Sequence, residues 1–164
     1  MVFRMKAIAL LITSMIFAIS GCAQNQVTNE EPNLTENKNL VISFWEAFSK
    51  GDAAEAMSHM HEDGSWWIQG NTDISGFYTK AEYAALIEGV GQNTENGIQV
   101  VLKEITAEEN RVAVEATSHG LLNNGKIYNN TLHLQHVIKD NQLFSVREYL
   151  DTKHVQETFG TPEP

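Results

Sequence analysis

The chain has 164 residues and carries 11 Lys and Arg residues against 21 Asp and Glu residues, a formal net charge of −10 at neutral pH. That length suits a single domain, and so acidic a surface disfavours nucleic acid and anionic lipid headgroups as partners. The single cysteine has no second cysteine in the chain with which to form a disulfide.

Residues 1–21 have the pattern of a secretory signal peptide. Arg4 and Lys6 precede an apolar run over residues 7–19, and small residues stand directly before Cys22. This junction resembles the lipobox of bacterial lipoproteins. The resemblance implies that Cys22 is lipidated and that the exported protein is anchored on the periplasmic or cell-surface side of a bacterial membrane. An ordinary signal peptide and an uncleaved anchor are the alternatives, although the apolar run is shorter than the roughly 20 residues that span a bilayer.

Residues 22–33 are rich in Asn, Gln, Glu and Thr, and they predict a disordered tether because they offer little apolar surface to bury. The folded domain is predicted over residues 34–159, with residues 160–164 as a flexible tail. Because the domain is acidic, its membrane attachment would depend on the acyl chains alone.

Three helices are predicted in the first half of the domain. The first ends near Gly51, and its apolar side chains recur at helical spacing: Leu40, Val41, Phe44, Trp45 and Phe48. Asp52 and Glu55 form a capping-box pattern that opens the second helix. Thr79 and Glu82 form the same pattern at the start of the third helix.

Strands are predicted around and after the third helix. The second helix should end near residues 63–64, and the aromatic segment 65–69 then favours a short strand. After the third helix the apolar period changes to two, which predicts long strands over residues 98–106, 111–121, 126–139 and 142–150. This order predicts an α+β fold, with N-terminal helices packed on a strongly curved antiparallel sheet.

The order of elements, together with four short segments, resembles the SnoaL-like branch of the nuclear transport factor 2-like superfamily. The segments are residues 44–45, 48–52, 66–70 and 147–152. The resemblance implies a cone-shaped domain with an internal pocket, often found as a homodimer. It does not fix a reaction, because relatives include isomerases, cyclases, dehydratases and non-catalytic binders. Ketosteroid isomerase-like relatives carry their base near the first strand, where this chain has Trp66 and Trp67 and no carboxylate.

Two tight turns predict the register of the last three strands. We treat Asn124-Gly125 and Asp140-Asn141 as two-residue turns. The predicted partners are Glu115 with Leu134, His119 with Asn130, Leu134 with Arg147, Asn130 with Asp151, and Thr117 with Leu132 and Tyr149. These residues would share one face of the sheet, and His133 and Glu148 would lie on the other. A slip of one residue at either turn would exchange the faces.

Asp151 and His119 are the candidate catalytic residues on that face. A carboxylate buried among apolar side chains has a raised pKa and can act as a base or acid near neutral pH. Asp151 would be the base, His119 would relay its proton, and Asn130 would orient a substrate oxygen. The alternative for Asp151 is the N-cap of a helix over residues 152–159. Arg147 and Glu115 are predicted to form a structural pair across the strands.

The remaining predicted ligand-pocket residues are mostly aromatic: Trp66, Trp67, Phe77, Tyr78, Leu132 and Tyr149, beside Glu115, Asn130 and Arg147. Trp66 and Trp67 should point to opposite faces of their strand, so that one packs in the core and the other meets a ligand or a dimer partner. We expect no cofactor. We also expect no metal site, because His59-x-His61 and His133-x-x-His136 match no recognised ligand spacing.

Three functions remain open from the sequence. The first is a lipid-anchored SnoaL-like domain that binds a small, largely apolar molecule in its conical pocket. The second is a cofactor-free acid–base enzyme of the isomerase, cyclase or dehydratase type, with Asp151 as general base. The third is a non-catalytic dimerising module at the cell envelope, for which side chains should fill the cavity.

Overall fold

A computed structural model of the protein describes residues 33–160. Its elements are α1 (Leu34–Ser49), α2 (Ala53–Ser58), β1 (Met60–Ile68), β2 (Gly76–Thr79), α3 (Lys80–Gln92), β3 (Gln99–Glu108), β4 (Arg111–Leu121), β5 (Ile127–Lys139), β6 (Gln142–Tyr149) and α4 (Thr152–Phe159). The predicted signal peptide, the predicted lipidation at Cys22 and nearly all of the predicted tether lie outside the described residues. Over residues 33–160, no helix is both long enough and apolar enough to cross a bilayer.

The strands form one curled, open sheet in the order β2-β1-β6-β5-β4-β3, which together with the helices confirms the predicted α+β class. Neighbouring strands are antiparallel except β1 and β6, which run parallel. β1 begins at Met60, earlier than predicted, because Met60 pairs with Leu143 of β6. The N–H of Leu143 also donates to the carbonyl of His59 (2.9 Å), so the second helix ends before this strand starts.

Side-chain caps determine where the helices begin. Asn33 accepts a hydrogen bond from the N–H of Glu36 (3.2 Å), and α1 therefore starts before the apolar pattern of the sequence. The predicted Asp52 cap is confirmed by a 3.0 Å bond from the N–H of Glu55, without the return bond of a full capping box. At Thr79 both bonds of the predicted capping box are present.

The β4–β5 register differs by one residue from the prediction because the connecting loop is longer. The N–H of Gly125 donates to the carbonyl of Leu122 (2.9 Å), and the N–H of Leu122 donates to the carbonyl of Lys126 (2.9 Å). The loop therefore contains three residues and ends at Gly125, whose φ of 82° suits glycine. As a result Glu115 pairs with His133, and His119 pairs with Asn129.

The β5–β6 register is also shifted, although its turn has the predicted length. Lys139 pairs with Gln142, and Asp140 and Asn141 both have positive φ, as a two-residue type I′ turn requires. The shift comes from a β-bulge on β6 at Phe144, between the pairs Ile138–Leu143 and Val137–Ser145. Leu134 therefore lies beside Glu148, and Arg147 lies beside Gln135.

The observed register defines an inner face of the sheet, which packs against the helices, and an outer face. The inner face carries even-numbered residues: Val112, Val114, Ala116 and Ser118 of β4, Tyr128, Asn130, Leu132, Leu134 and His136 of β5, and Val146 and Glu148 of β6. The apolar members form one core with Phe44 and Trp45 of α1, Trp66 of β1 and Tyr83 of α3. This layer of helices on one face creates the space in which a site can form.

Candidate functional site

A cavity of about 640 Å³ lies between the inner face and α1, α3 and α4. Its wall is mostly apolar: Trp45, Phe48, Ile68, Ile74, Tyr83, Leu86, Ile87, Val90, Ile98, Val100, Leu122, Leu132, Leu150, Val155 and Phe159. Exposed Asn93, Asn123 and Asn124 lie at its mouth, whereas buried Trp45 and Tyr83 lie at its inner end. The size is within the range of pockets that hold small organic molecules, roughly 300–1,000 Å³.

Glu148 is the one carboxylate among the described residues that line this cavity, and it lies near Tyr83 at the inner end. The indole N–H of Trp66 donates to its Oε2 at 2.8 Å. Burial raises the pKa of Glu148 from 4.5 to about 7, and the Trp66 hydrogen bond offsets part of that rise. Glu148 can therefore exchange a proton near neutral pH.

Trp66 and Tyr83 hold this carboxylate in place. Their rings stack with centroids 3.9 Å apart and planes 9° apart, and Trp66 is fully buried. Burial, reinforced by the nearby Glu148, raises the pKa of Tyr83 well above its ordinary value. The tyrosine is therefore neutral over the range in which Glu148 titrates.

Trp45 is fixed by a second buried hydrogen bond. Its indole N–H donates to Nε2 of His136 (3.1 Å), while Nδ1 of His136 lies 3.1 Å from the carbonyl of Val112. Because Nε2 accepts, Nδ1 must be the donor, and the imidazole is neutral. Burial lowers the pKa of His136 to about 4, which keeps it uncharged beneath the cavity.

Polar groups are few along the rest of the wall. Ser118 is buried, and its Oγ has no hydrogen-bond partner among the described residues. Tyr128 lies near it, and burial raises the pKa of the Tyr128 phenol to about 12. A bound molecule could satisfy the Ser118 hydroxyl, which would otherwise carry the cost of an unpaired buried polar group.

Asp151 forms the N-cap of α4, as in the alternative interpretation of the sequence. Its carboxylate accepts a hydrogen bond from the N–H of His154 (3.1 Å), and its side chain is exposed. The Asn130 amide holds the Asp151 backbone by two hydrogen bonds, of 3.0 and 3.1 Å. Asn130 thus fixes the start of α4, the helix that closes one side of the cavity.

His119 lies on the outer face, where its Nδ1 is 2.7 Å from Oδ1 of Asn129. It shares a groove of about 510 Å³ with Asp151, Gln99, Thr117 and Thr131. The structure therefore brings the two predicted catalytic residues to one groove. Neither residue lines the cavity, although Ser118 lines both the groove and the cavity.

The corrected register moves several predicted pocket residues to the outer face. Glu115 and Arg147 are exposed there, because the loop at Gly125 and the bulge at Phe144 each shift a strand by one residue. Trp67 packs with Arg147, Tyr149 and Phe77 in an outer cluster, with Phe77 74% exposed. Of the predicted pocket residues, Leu132 lines the cavity, Trp66 is buried in the core, and partly buried Tyr78 packs against that core.

Glu148, Ser118 and Tyr128 are among the polar cavity residues that the sequence interpretation missed. A signal was present in β4, where Val112, Val114 and Ala116 alternate with more polar neighbours. Such alternation indicates the buried face directly, without an assumed turn length. Glu148 itself gave no local signal, because its burial depends on strands that are distant in sequence.

The described residues 33–160 contain no group of three or more His, Cys, Asp and Glu side chains placed to hold a metal ion. The cavity offers hydrogen bonding and proton exchange at Glu148, beside apolar and aromatic surface.

Comparison with known proteins agrees with this architecture. The model of the SnoaL-like domain family matches residues 41–146. PrhC from Penicillium brasilianum superposes with a TM-score of 0.70 at 14% identity, covering 76% of this chain and 86% of PrhC. Bal32a, from a soil-derived mobile gene cassette, gives 0.69 at 20% identity, with 76% and 97% covered. TerC, co-crystallised with polyporic acid, gives 0.66 at 18% identity, with 77% and 99% covered. No curated protein matches the sequence.

Proposed function

The chain belongs to the SnoaL-like domain family, and from the cavity it forms we propose that it binds a small, largely apolar molecule between the helices and the inner face of the sheet. The observation that carries this proposal is an open cavity of about 640 Å³ whose wall is apolar apart from a few polar groups. Binding of an apolar ligand in such a cavity is favourable, because the ligand displaces water from the apolar wall.

Two further observations support a binding role. The hydroxyl of Ser118 has no hydrogen-bond partner within 3.5 Å among the described residues, although the Tyr128 phenol lies near it, and a ligand in the cavity can supply that bond. TerC, with the same fold, was co-crystallised with polyporic acid, an organic molecule. A module that only dimerises needs no such cavity and should have side chains in its place, which makes the third function the weakest.

Filling the cavity should abolish binding. Val100 lines the cavity, whereas its neighbour Val101 points to the outer face and is 52% exposed. We expect Val100→Trp to weaken the binding of N-phenyl-1-naphthylamine, a neutral fluorescent probe, by at least about tenfold because the indole occupies the ligand's space. Val101→Trp is the matched control and should bind like the unaltered protein. The measurement is a fluorescence titration of the purified protein.

Two results of this titration would contradict the binding proposal. One is the absence of saturable probe binding to the unaltered protein. The other is equal binding by the two tryptophan variants, which would place the probe elsewhere on the molecule. Circular dichroism of both variants checks that each retains the fold. Mass spectrometry of small molecules released from the purified protein would then identify the natural ligand.

An acid–base enzyme is the second candidate, and the pKa of Glu148, raised to about 7 by burial, favours it. A group that titrates near the working pH is suited to donate and accept protons. Once a substrate is known, we expect Glu148→Gln to lower the turnover rate by ~10² or more. Asp151→Asn should leave the turnover rate nearly unchanged, because asparagine can still cap α4. Equal rates for the Glu148 variant and the unaltered protein would leave only the binding role.

We further propose that the domain works outside the cytoplasm as a homodimer, tethered through a lipid on Cys22. The signal-like residues 1–21 and the small residues before Cys22 support the anchor, and the resemblance to often dimeric relatives supports the dimer. Mass spectrometry of the mature N-terminus tests the anchor, and an unmodified Cys22 would contradict it. Equilibrium sedimentation tests the dimer.

A further inference from the structure

None of the described residues that line the cavity places a positive charge beside Glu148. Among the described residues that line it, Glu148 is the only one with a charged side chain, and Lys, Arg and His do not contribute to the wall. Its Oε2 accepts the Trp66 indole N–H, but Oε1 receives no hydrogen bond from the described residues. One carboxylate oxygen is thus left for whatever enters the cavity.

The charged form of Glu148 costs free energy at this position, because the carboxylate is removed from water. A glutamine at this position could accept the same hydrogen bond from Trp66 without the desolvation of a charge. The hydrogen bond to Trp66 therefore does not explain why the side chain is ionisable. A ligand that carries the opposite charge does explain it, because an ion pair formed in a water-poor cavity is stronger than one at the surface.

The rest of the wall suits the same kind of ligand. Aromatic rings attract cations through their faces, and five aromatic residues line the cavity: Trp45, Phe48, Tyr83, Tyr128 and Phe159. The net charge of −10 also favours the approach of cations and disfavours that of anions. On the basis of the proposed binding function, we infer that the cavity selects an apolar molecule bearing a protonated amine, whose ammonium group pairs with the Glu148 carboxylate at the inner end.

This pairing should depend on pH through Glu148, because the groups around it stay uncharged. Trp66 and Ile68 face it from β1, Tyr83 from α3, and Leu134 and Tyr128 from β5. The two tyrosines are neutral below about pH 10, because burial raises the pKa of each. Preference for an amine should therefore be present above about pH 7 and fade below it, as Glu148 takes up a proton.

Three naphthalenes of similar size that carry different charges test the inference. 2-Naphthylmethylamine is a cation, 2-naphthylmethanol is neutral and 2-naphthoate is an anion. Each competes with N-phenyl-1-naphthylamine for the purified protein at about pH 8. We expect the amine to bind about tenfold more tightly than the alcohol, and the carboxylate at least about tenfold more weakly. Glu148→Gln should make the amine and alcohol equal, while Glu115→Gln, which removes an exposed charge from the outer face, should leave the preference intact.

The outcomes separate this inference from the function on which it rests. Equal binding of amine and alcohol to the unaltered protein would overturn the amine selectivity while leaving the binding function in place. A preference for the amine that persists in Glu148→Gln would also overturn it, because the charge would then act elsewhere. Failure of the fluorescent probe itself to bind would overturn both.

Discussion

Replacing Glu148 with glutamine is expected to raise the free energy of unfolding by about 2–3 kcal/mol at pH 8, because a pKa difference of one unit corresponds to about 1.4 kcal/mol. In the folded protein burial raises the pKa of Glu148 from 4.5 to about 7. Glutamine has nearly the same shape and can keep the hydrogen bond from Trp66, so only the cost of the buried charge is removed.

The sign of the effect follows from where the proton is bound. Between about pH 4.5 and 7 the folded state keeps a proton on Glu148 that the unfolded state has lost. Stability of the unaltered protein therefore falls through this window, and the penalty is complete above it. Below about pH 4.5 Glu148 is protonated in both states, and the two proteins should be equally stable.

Urea unfolding at several pH values, from about 4.5 to 8.5, measures this difference. Glu115→Gln is the control, since Glu115 is exposed on β4, and we expect it to change stability by less than about 0.5 kcal/mol. His136, with its pKa lowered to about 4, titrates in every variant and cancels from the comparison. A Glu148→Gln variant less stable than the unaltered protein at pH 8, or a difference independent of pH, would contradict the account of a buried carboxylate.

Trp66→Ala is expected to lower the free energy of unfolding by about 3–5 kcal/mol, the usual cost of truncating a large buried aromatic side chain. Trp66 is fully buried, stacks on Tyr83 at 3.9 Å and lies 5.5 Å from Phe44, measured between ring centroids. Its loss would leave a void behind the cavity. It would also remove the hydrogen bond that Glu148 accepts.

Trp67→Ala is the matched control, because the next residue along the strand points to the outer face. Trp67 packs beside Arg147, Tyr149 and Phe77, and it stays partly exposed. We expect its truncation to cost about 1 kcal/mol. Chemical denaturation of both variants measures the two losses of stability. A larger loss for Trp67→Ala than for Trp66→Ala would mean that the inner and outer faces are exchanged.

The positions of the elements could be predicted because their signals are local. β4 occupies residues 111–121, as its alternating pattern indicates. The caps at Asp52 and Thr79 were also predictable, since a capping side chain bonds within one turn of its own helix. For the same reason the sequence predicted an N-cap role for Asp151 as the alternative to a catalytic role.

The register was not predictable from the turns alone. The loop that contains Asn124-Gly125 has one residue more than a two-residue turn, and the same dipeptide suits both lengths. The bulge at Phe144 has no turn signal, because it arises where β6 pairs with β5 on one side and with β1 on the other. The parallel pairing of β1 with β6 joins residues about 80 positions apart, beyond the reach of local patterns.

The candidate site depended on those distant pairings. Glu148 is half-buried, and its carboxylate is desolvated only when Trp66 from β1 and Tyr83 from α3 cover it. The sequence placed it on the outer face because two one-residue shifts were absent from the predicted register. The apolar alternation along β4 was the stronger signal, and it should take precedence over turn length when the two disagree.

A crystal structure of the protein grown with N-phenyl-1-naphthylamine tests the central claim most directly. We expect the probe inside the cavity, against Val100 and Leu132, with its amine toward Glu148. Probe density confined to the outer-face groove near His119 and Asp151, or an empty cavity at a saturating probe concentration, would contradict the claim that this cavity is the binding site.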